Sequence, residues 1–146
     1  MPESITFLGR SRFLDANTRK GVRRVLSHLT EIHGFVVDSL VYIHMTDDEL
    51  LKLNQDHLNH DTYTDVITFD LSDKEGVIDG EIYISTDRIK ENAATYNSDF
   101  WTEYVRVVSH GVLHLLGYND KTEKTSKTMR DKELYAINYW LSLSST

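Results

Sequence analysis

The segment His110-Gly-Val-Leu-His114-Leu-Leu-Gly117-Tyr-Asn-Asp120 combines two histidines, two glycines and an aspartate within eleven residues. Its two histidines are four residues apart in a segment with helical apolar spacing, so both imidazoles project from one face. Gly117 stands where that helix should end, because glycine tolerates the left-handed conformation of a helix C-cap. The chain can then turn back and bring Asp120 beside the two rings. We therefore predict that His110, His114 and Asp120 form one cluster.

This cluster has the composition of a metal site. Two imidazole nitrogens and one carboxylate oxygen suit zinc and leave the fourth tetrahedral position open. The pattern H-x3-H-x2-G-x2-D has the spacing of the extended zincin motif, whose peptidases carry a glutamate after the first histidine as general base. Here that residue is Gly111, and no other side chain is identified as a general base. Taken singly, each of these residues is more typical of an ordinary surface position than of a metal ligand.

The composition is that of one globular domain. The 146 residues are 40% hydrophobic and 27% charged, so we expect a single domain over residues 1–146 with a core of its own. There is no cysteine, which excludes disulfides, Cys-ligated zinc, iron–sulfur clusters and thiol nucleophiles. The first residues lack a signal-peptide pattern, and no apolar run approaches membrane-spanning length. A cytoplasmic protein without a membrane partner is expected.

The charge is unevenly distributed. The formal net charge is −7, which argues against general nucleic-acid binding and against DNA as a partner. Residues 1–34, however, hold six Lys and Arg against three Asp and Glu. This asymmetry indicates either a local basic surface on an acidic body or a solvated helix face.

Apolar periodicity predicts four strands and five helices in the order β-α-β-α-β-β-α-α-α. The strands are expected at residues 4–8, 35–45, 65–69 and 81–85, and residues 72–79 are expected to form a loop. Thr46 and Glu49 have the spacing of a capping box at the start of the second helix. A hairpin-compatible step between the third and fourth strands indicates a mixed sheet. We expect an α+β, or mixed α/β, domain in which the helices pack on a small sheet and one helix is zincin-like.

The last helix and the aromatic residues allow further predictions. Four residues define the expected apolar side of the last helix: Met129, Leu134, Ile137 and Leu141. Glu133 either accepts a hydrogen bond from a ligating imidazole or lies at the surface. Three aromatic residues are expected in the core rather than stacked on nucleic-acid bases: Trp101, Tyr104 and Trp140.

Residues 110–120 resemble the signature of the YbeY family, the bacterial metal-dependent endoribonucleases of ribosome maturation, which reads H-G-x-L-H-L-x-G-x-x-H. Leu53-Asn54 followed by residues 64–69 is similar to the family's L-N…T-D-V-L-S-F block. Residues 80–85 resemble its G-D-I-x-I-S strand, and Met129 with Glu133 resembles its M-x3-E. The resemblance covers most of residues 45–135 in the same order.

The resemblance implies a small mixed sheet with packed helices and one zinc ion per chain on three protein ligands. By the same resemblance, His110 and His114 are the first two ligands, and Asp120 stands at the place of the third histidine. The implied activity is single-strand-specific RNA cleavage, acting in small-subunit rRNA 3′-end maturation and ribosome quality control. The implied partners are single-stranded rRNA and the small ribosomal subunit or its assembly factors.

Two departures from the family pattern bear on the chemistry. The carboxylate of Asp120 would make a bound water less acidic and would favour harder ions such as manganese. The second departure is Leu58, which stands where the family usually has an arginine that could hold a phosphate through two hydrogen bonds. Three cations are candidates to replace it: Arg88, Arg19 and Arg23. RNA would approach through the basic N-terminal helix.

Other interpretations remain open at this point. Four polar residues near the third strand could contact substrate or could be solvated loop residues: His57, His60, Asp61 and Asp65. The chain could be a metal-dependent hydrolase of another ester or amide, although Gly111 counts against a peptidase. It could also be a non-enzymatic ribosome-assembly factor in which the metal only braces the fold, an alternative motivated by Leu58.

Overall fold

The computed structural model describes residues 4–58 and 64–143, which form one sheet with helices packed on it. The strands are β1 (Ile5–Gly9), β2 (Val36–Met45), β3 (Val66–Asp70) and β4 (Val77–Ser85). The helices are α1 (Ala16–Ile32), α2 (Asp47–Leu58), α3 (Thr86–Thr95), α4 (Phe100–Leu115) and α5 (Glu123–Leu143). The predicted mixed α/β architecture and its order of elements are confirmed.

The sheet is mixed, with the strand order β1-β2-β4-β3. Strands β1, β2 and β4 are parallel, whereas β3 pairs antiparallel with β4 at one edge. The prediction of a loop through residue 79 is wrong, because Val77 and Ile78 already pair with Val36 and Val37 of β2. The polar and glycine residues before residue 81 suggested a turn, but the long β2 provides backbone partners that extend β4 towards its N-terminus.

Side-chain caps fix where the helices begin. The predicted capping box of α2 is present: the Thr46 backbone N–H donates to the Glu49 carboxylate at 2.9 Å, and the Glu49 N–H donates to the Thr46 hydroxyl at 3.2 Å. Asp99 caps α4 by accepting from the Thr102 N–H at 2.9 Å. Because its start is fixed, α4 presents its C-terminal histidines at a defined place over the sheet.

Helix α4 lies directly against β4. A Cβ atom added at Gly111 would stand 2.9 Å from two side-chain carbons of Ile82, which is closer than real Cβ atoms approach. Gly111 therefore permits the close contact between helix and sheet. A glutamate at this position, where zincin peptidases carry their general base, would have its side chain directed into the core.

The buried face of α5 differs from the predicted one. Its buried residues are Met129, Glu133, Ala136 and Ile137, whereas Leu134 and Leu141 are 55% and 50% exposed. The prediction was wrong for the two leucines. A charged residue, Glu133, faces the core, although the apolar periodicity of α5 predicted only apolar residues on its buried face. No helix in residues 4–58 and 64–143 is long and apolar enough to cross a lipid bilayer.

A buried histidine links β1, β2 and α4. His44 is 1% exposed, with Nδ1 3.1 Å from the Leu8 carbonyl and Nε2 2.7 Å from the Tyr104 hydroxyl. Because a carbonyl can only accept, Nδ1 carries the proton and Nε2 accepts from the tyrosine. Burial, together with the nearby charge of Arg19, lowers the pKa of His44 to about 4.

This buried histidine predicts a loss of stability in mild acid. Below a pH of about 6.5 the unfolded chain binds a proton at His44, whereas the folded chain does not until the pH falls to about 4. The free energy of unfolding should therefore fall across this window, by up to about 3 kcal/mol. Urea unfolding at a series of pH values measures the effect.

His44→Gln should flatten this part of the pH profile, although the variant starts from a lower stability. The exposed histidine of α2, His57, is the matched control, and His57→Gln should keep the wild-type slope. Equal slopes for His44→Gln and the wild type would contradict the assignment.

Candidate metal centre

The end of α4 and the turn after it bring the three predicted ligands together. Gly117 has a φ of 107°, and the Tyr118 N–H donates back to the Leu113 carbonyl at 3.0 Å, which ends the helix and reverses the chain. The Nε2 atoms of His110 and His114 are 3.0 Å apart, and Asp120 Oδ2 is 3.7 Å from His110 Nε2. One ligand atom from each residue lies within 4.8 Å of the others.

The donor set fits a divalent cation. The His110 and His114 rings stand almost perpendicular, at 80°, with their Nε2 atoms facing each other. Burial, followed by the neighbouring His110, lowers the pKa of His114, so the neutral, metal-binding form is favoured. The Asp120 side chain is 48% exposed and supplies the negatively charged ligand from the solvent side. Two imidazoles and one carboxylate suit zinc, or a harder ion such as manganese.

Glu133 fixes the orientation of the first histidine. Its Oε2 lies 2.6 Å from His110 Nδ1, and the residue is only 5% exposed. Because a carboxylate accepts, Nδ1 of His110 carries the proton and Nε2 presents its lone pair to the centre of the cluster. Such carboxylate–histidine pairs orient metal ligands and increase their basicity.

Arg106 holds this carboxylate in turn. Its guanidinium lies 2.5 Å from Glu103, 3.1 Å from Asp65 and 3.5 Å from Glu133. Burial opposes the charge on Arg106, but hydrogen bonds and charges of the surrounding carboxylates outweigh it and raise its pKa. Arg106 is not among the functional residues predicted from the sequence. Its spacing from the histidines could have identified it, because Arg106 precedes His110 by four residues and therefore lies on the same helix face as both histidines.

The three ligands open into a cavity of about 730 Å³ beside the edge strand β3. Within residues 4–58 and 64–143, Arg106 is the only Lys or Arg that lines it. The three cations expected to replace the family arginine lie elsewhere. Arg88 pairs with Asp47 at 2.6 Å, and the guanidinium groups of Arg19 and Arg23 donate to the backbone carbonyls of residues 11 and 5.

The other polar residues singled out near β3 are placed differently. Asp65 lines the cavity and pairs with Arg106, whereas His57 is exposed on α2 and is not among the lining residues. His60 and Asp61 lie outside the described residues, and Leu58 is the last residue of α2. Of that group, Asp65 is therefore the residue that the structure brings to the candidate centre.

Comparison with known proteins matches this architecture over nearly the whole chain. The family model described as Endoribonuclease YbeY matches residues 7–140. The Endoribonuclease YbeY of Cytophaga hutchinsonii is 42% identical over 131 residues, covering 90% of this chain and 92% of the relative. That of Azobacteroides pseudotrichonymphae is 40% identical over 127 residues, covering 87% and 90%. A solution structure of a Thermotoga maritima protein superposes with a TM-score of 0.71 at 30% identity, covering 97% of this chain and 91% of that one.

Removing the charge of Glu133 should weaken metal binding without removing a ligand. Glu133→Gln keeps the shape of the side chain but weakens its contact with His110, so we expect a roughly 10- to 100-fold loss of zinc affinity. Competition with a chromophoric zinc chelator measures the dissociation constant.

The matched control is Asp131→Asn, which neutralises an exposed carboxylate two residues away on α5. It should leave the affinity within about twofold of the wild type. The role assigned to Glu133 is wrong if both variants bind zinc as tightly as the wild type.

Proposed function

The chain belongs to the YbeY family of endoribonucleases, and we propose that it is a metal-dependent, single-strand-specific endoribonuclease that matures the 3′ end of small-subunit rRNA and serves ribosome quality control. The observation that carries the proposal is the convergence of ligand atoms from His110, His114 and Asp120 in one open cavity. The substrate would be rRNA in the cytoplasm, on the small subunit or bound to its assembly factors.

We further propose one zinc ion per chain, held by His110 Nε2, His114 Nε2 and a carboxylate oxygen of Asp120. When bound, such an ion lowers the pKa of a coordinated water and polarises the phosphodiester. Within the chain, Glu133 keeps the Nδ1 proton of His110 in place, so the opposite nitrogen stays available as a ligand. The negative charge of Asp120 reduces the positive charge of the centre, so manganese is a suitable alternative ion.

Arg106 is the cation that a phosphate entering this cavity would meet. Its side chain is 29% exposed, and it lines the same wall as the two histidines. A guanidinium can hold a phosphate bidentately, but the carboxylates of Glu103 and Asp65 already engage this one. The expected phosphate contact of Arg106 is therefore weaker than that of an arginine without carboxylate partners. It would replace part of the phosphate binding that the family arginine provides and that Leu58 cannot.

Two other functions compete with this proposal. The contact of Gly111 with Ile82 leaves no space for a zincin-type glutamate, which disfavours a peptidase. A non-enzymatic assembly factor is motivated by Leu58 and by the carboxylates that surround Arg106. In that case His114→Ala would lower the melting temperature of the protein, while cells carrying the folded variant would still mature their ribosomes.

The proposal predicts metal-dependent cleavage of single-stranded RNA. Zinc- or manganese-loaded protein should cut a single-stranded fragment from the 3′ region of small-subunit rRNA and leave a duplex of the same sequence intact. Chelation should stop cleavage, and His114→Ala should lower the rate by about 100-fold or more, since the ligand set is broken. Gel analysis of end-labelled RNA measures both effects.

The control His57→Ala removes an exposed histidine outside the cavity and should cleave at the wild-type rate. Equal RNA degradation by metal-loaded protein, chelated protein and His114→Ala would identify a contaminating nuclease and contradict the enzyme assignment.

A further inference from the structure

A second cavity, of about 690 Å³, lies away from the candidate metal centre. It opens where β1 ends at Gly9 and where α3 begins at Thr86 directly after β4. These strands are parallel, and the crevice beyond the carboxyl ends of parallel strands is a frequent ligand site in open sheets. The cavity therefore has the location of a binding site, and none of the metal-site residues lines it.

Its polar lining is cationic. Arg10, Arg12 and Lys90 line it, and no Asp or Glu is among its lining residues in the described chain. Arg10 is partly engaged by Glu49 at 3.0 Å, in an exposed pair. The side chains of Arg12 and Lys90 are exposed and make no ion pair or hydrogen bond within residues 4–58 and 64–143. Two unpaired cations facing one cavity suit a phosphate group.

Its apolar lining is aromatic. Phe13 is 37% exposed, and its ring lies 5.9 Å from that of Trp101 with an angle of 33° between the planes. Phe100 stands edge-on to Trp101 at 5.0 Å and holds the indole in place. Trp101 packs against the core, as predicted, and is only half-buried, so part of its ring remains in the cavity. Partly exposed aromatic rings beside cations are an arrangement by which proteins bind single-stranded nucleic acid.

The distance between this cavity and the metal centre suits an RNA strand of several nucleotides. Trp101 and His110 both lie on α4, nine residues apart, which is about 14 Å along the helix axis at 1.5 Å per residue. The two cavities approach each other between β3 and β4: Thr86 lines one, Asp65 lines the other, and the Ser85 N–H donates to the Asp65 carbonyl at 3.0 Å. A strand occupying both cavities would therefore be several nucleotides long.

We propose that this cavity binds one unpaired nucleotide of the RNA strand, several positions from the bond at the metal centre. Arg12 and Lys90 hold its phosphate, and Phe13 with Trp101 stacks on its base. The proposal rests on the proposed ribonuclease function. It assigns a function to the cationic β1–α1 connection, whereas the sequence predicted that RNA would approach along the basic helix α1. A free mononucleotide offers the same chemistry, and the test separates the two sources.

The test measures binding and cleavage with the full chain. The double variant Arg12→Gln/Lys90→Gln should raise the dissociation constant for a single-stranded oligoribonucleotide about 10-fold, measured by fluorescence anisotropy with a chelator present. It should also reduce the slope of log K against log salt by about 0.7, because the two cations hold one phosphate and each neutralised phosphate contributes about 0.7 on single strands. Phe13→Leu should weaken binding about fivefold and leave the salt slope unchanged.

The matched control is Lys20→Gln/Arg24→Gln, which removes two exposed cations of α1 that do not line this cavity. Its affinity should stay within about twofold of the wild type, although the change in net charge is the same. Equal losses in the two double variants would overturn the proposal. A mononucleotide that binds as tightly as the oligoribonucleotide would also overturn it, by identifying a free-nucleotide site.

Cleavage by the metal-loaded protein separates the two claims. With a long single strand, Arg12→Gln/Lys90→Gln should raise KM about 10-fold with little change in kcat. A dinucleotide is too short to reach the second cavity, and its cleavage should not respond. If no RNA is cut but binding depends on Arg12 and Lys90, the cavity assignment stands and the nuclease function fails. If the variant cuts the long RNA like the wild type, the cavity assignment fails and the function stands.

Discussion

Glu133 and His110 form a buried contact that ties the last helix to the candidate metal site. A carboxylate buried to 5% exposure is costly unless it is hydrogen-bonded and paired. Glu133 meets this requirement with His110 Nδ1 at 2.6 Å on one side and Arg106 at 3.5 Å on the other. The pairing joins α5 to α4, and Glu133 lies on the buried face of α5. It also determines which nitrogen of His110 faces His114.

The sheet provides the second constraint. Helix α4 lies close to β4 because Gly111 has no side chain to separate it from Ile82. This contact places the last turns of α4 beside the edge strand β3. The two histidines therefore line the cavity next to that strand. The same glycine occupies the position of the zincin general base. Close packing at this position requires a glycine, whereas a zincin peptidase requires a glutamate there. This chain has the glycine.

Local signals predicted most of the elements and the three members of the candidate metal site. The capping box of Thr46 and Glu49 and the spacing of His110, His114 and Gly117 act within a few residues, so the sequence displays them directly. Features that depend on contacts between residues far apart in the sequence could not be predicted in this way. The start of β4 depends on pairing with β2, and the burial of Glu133 depends on a histidine on another helix. Arg106 was overlooked because its importance comes from its partners, although its spacing from His110 was available.

We propose that His110, His114 and Asp120 together hold one metal ion. Elemental analysis of tag-free protein, with wild type beside Asp120→Ala, measures whether they do. We expect about one zinc or manganese ion per wild-type chain, and a weakened or lost ion in Asp120→Ala. A wild-type protein that contains no metal and takes up none on titration would contradict it, as would an Asp120→Ala variant that retains the ion with unchanged affinity.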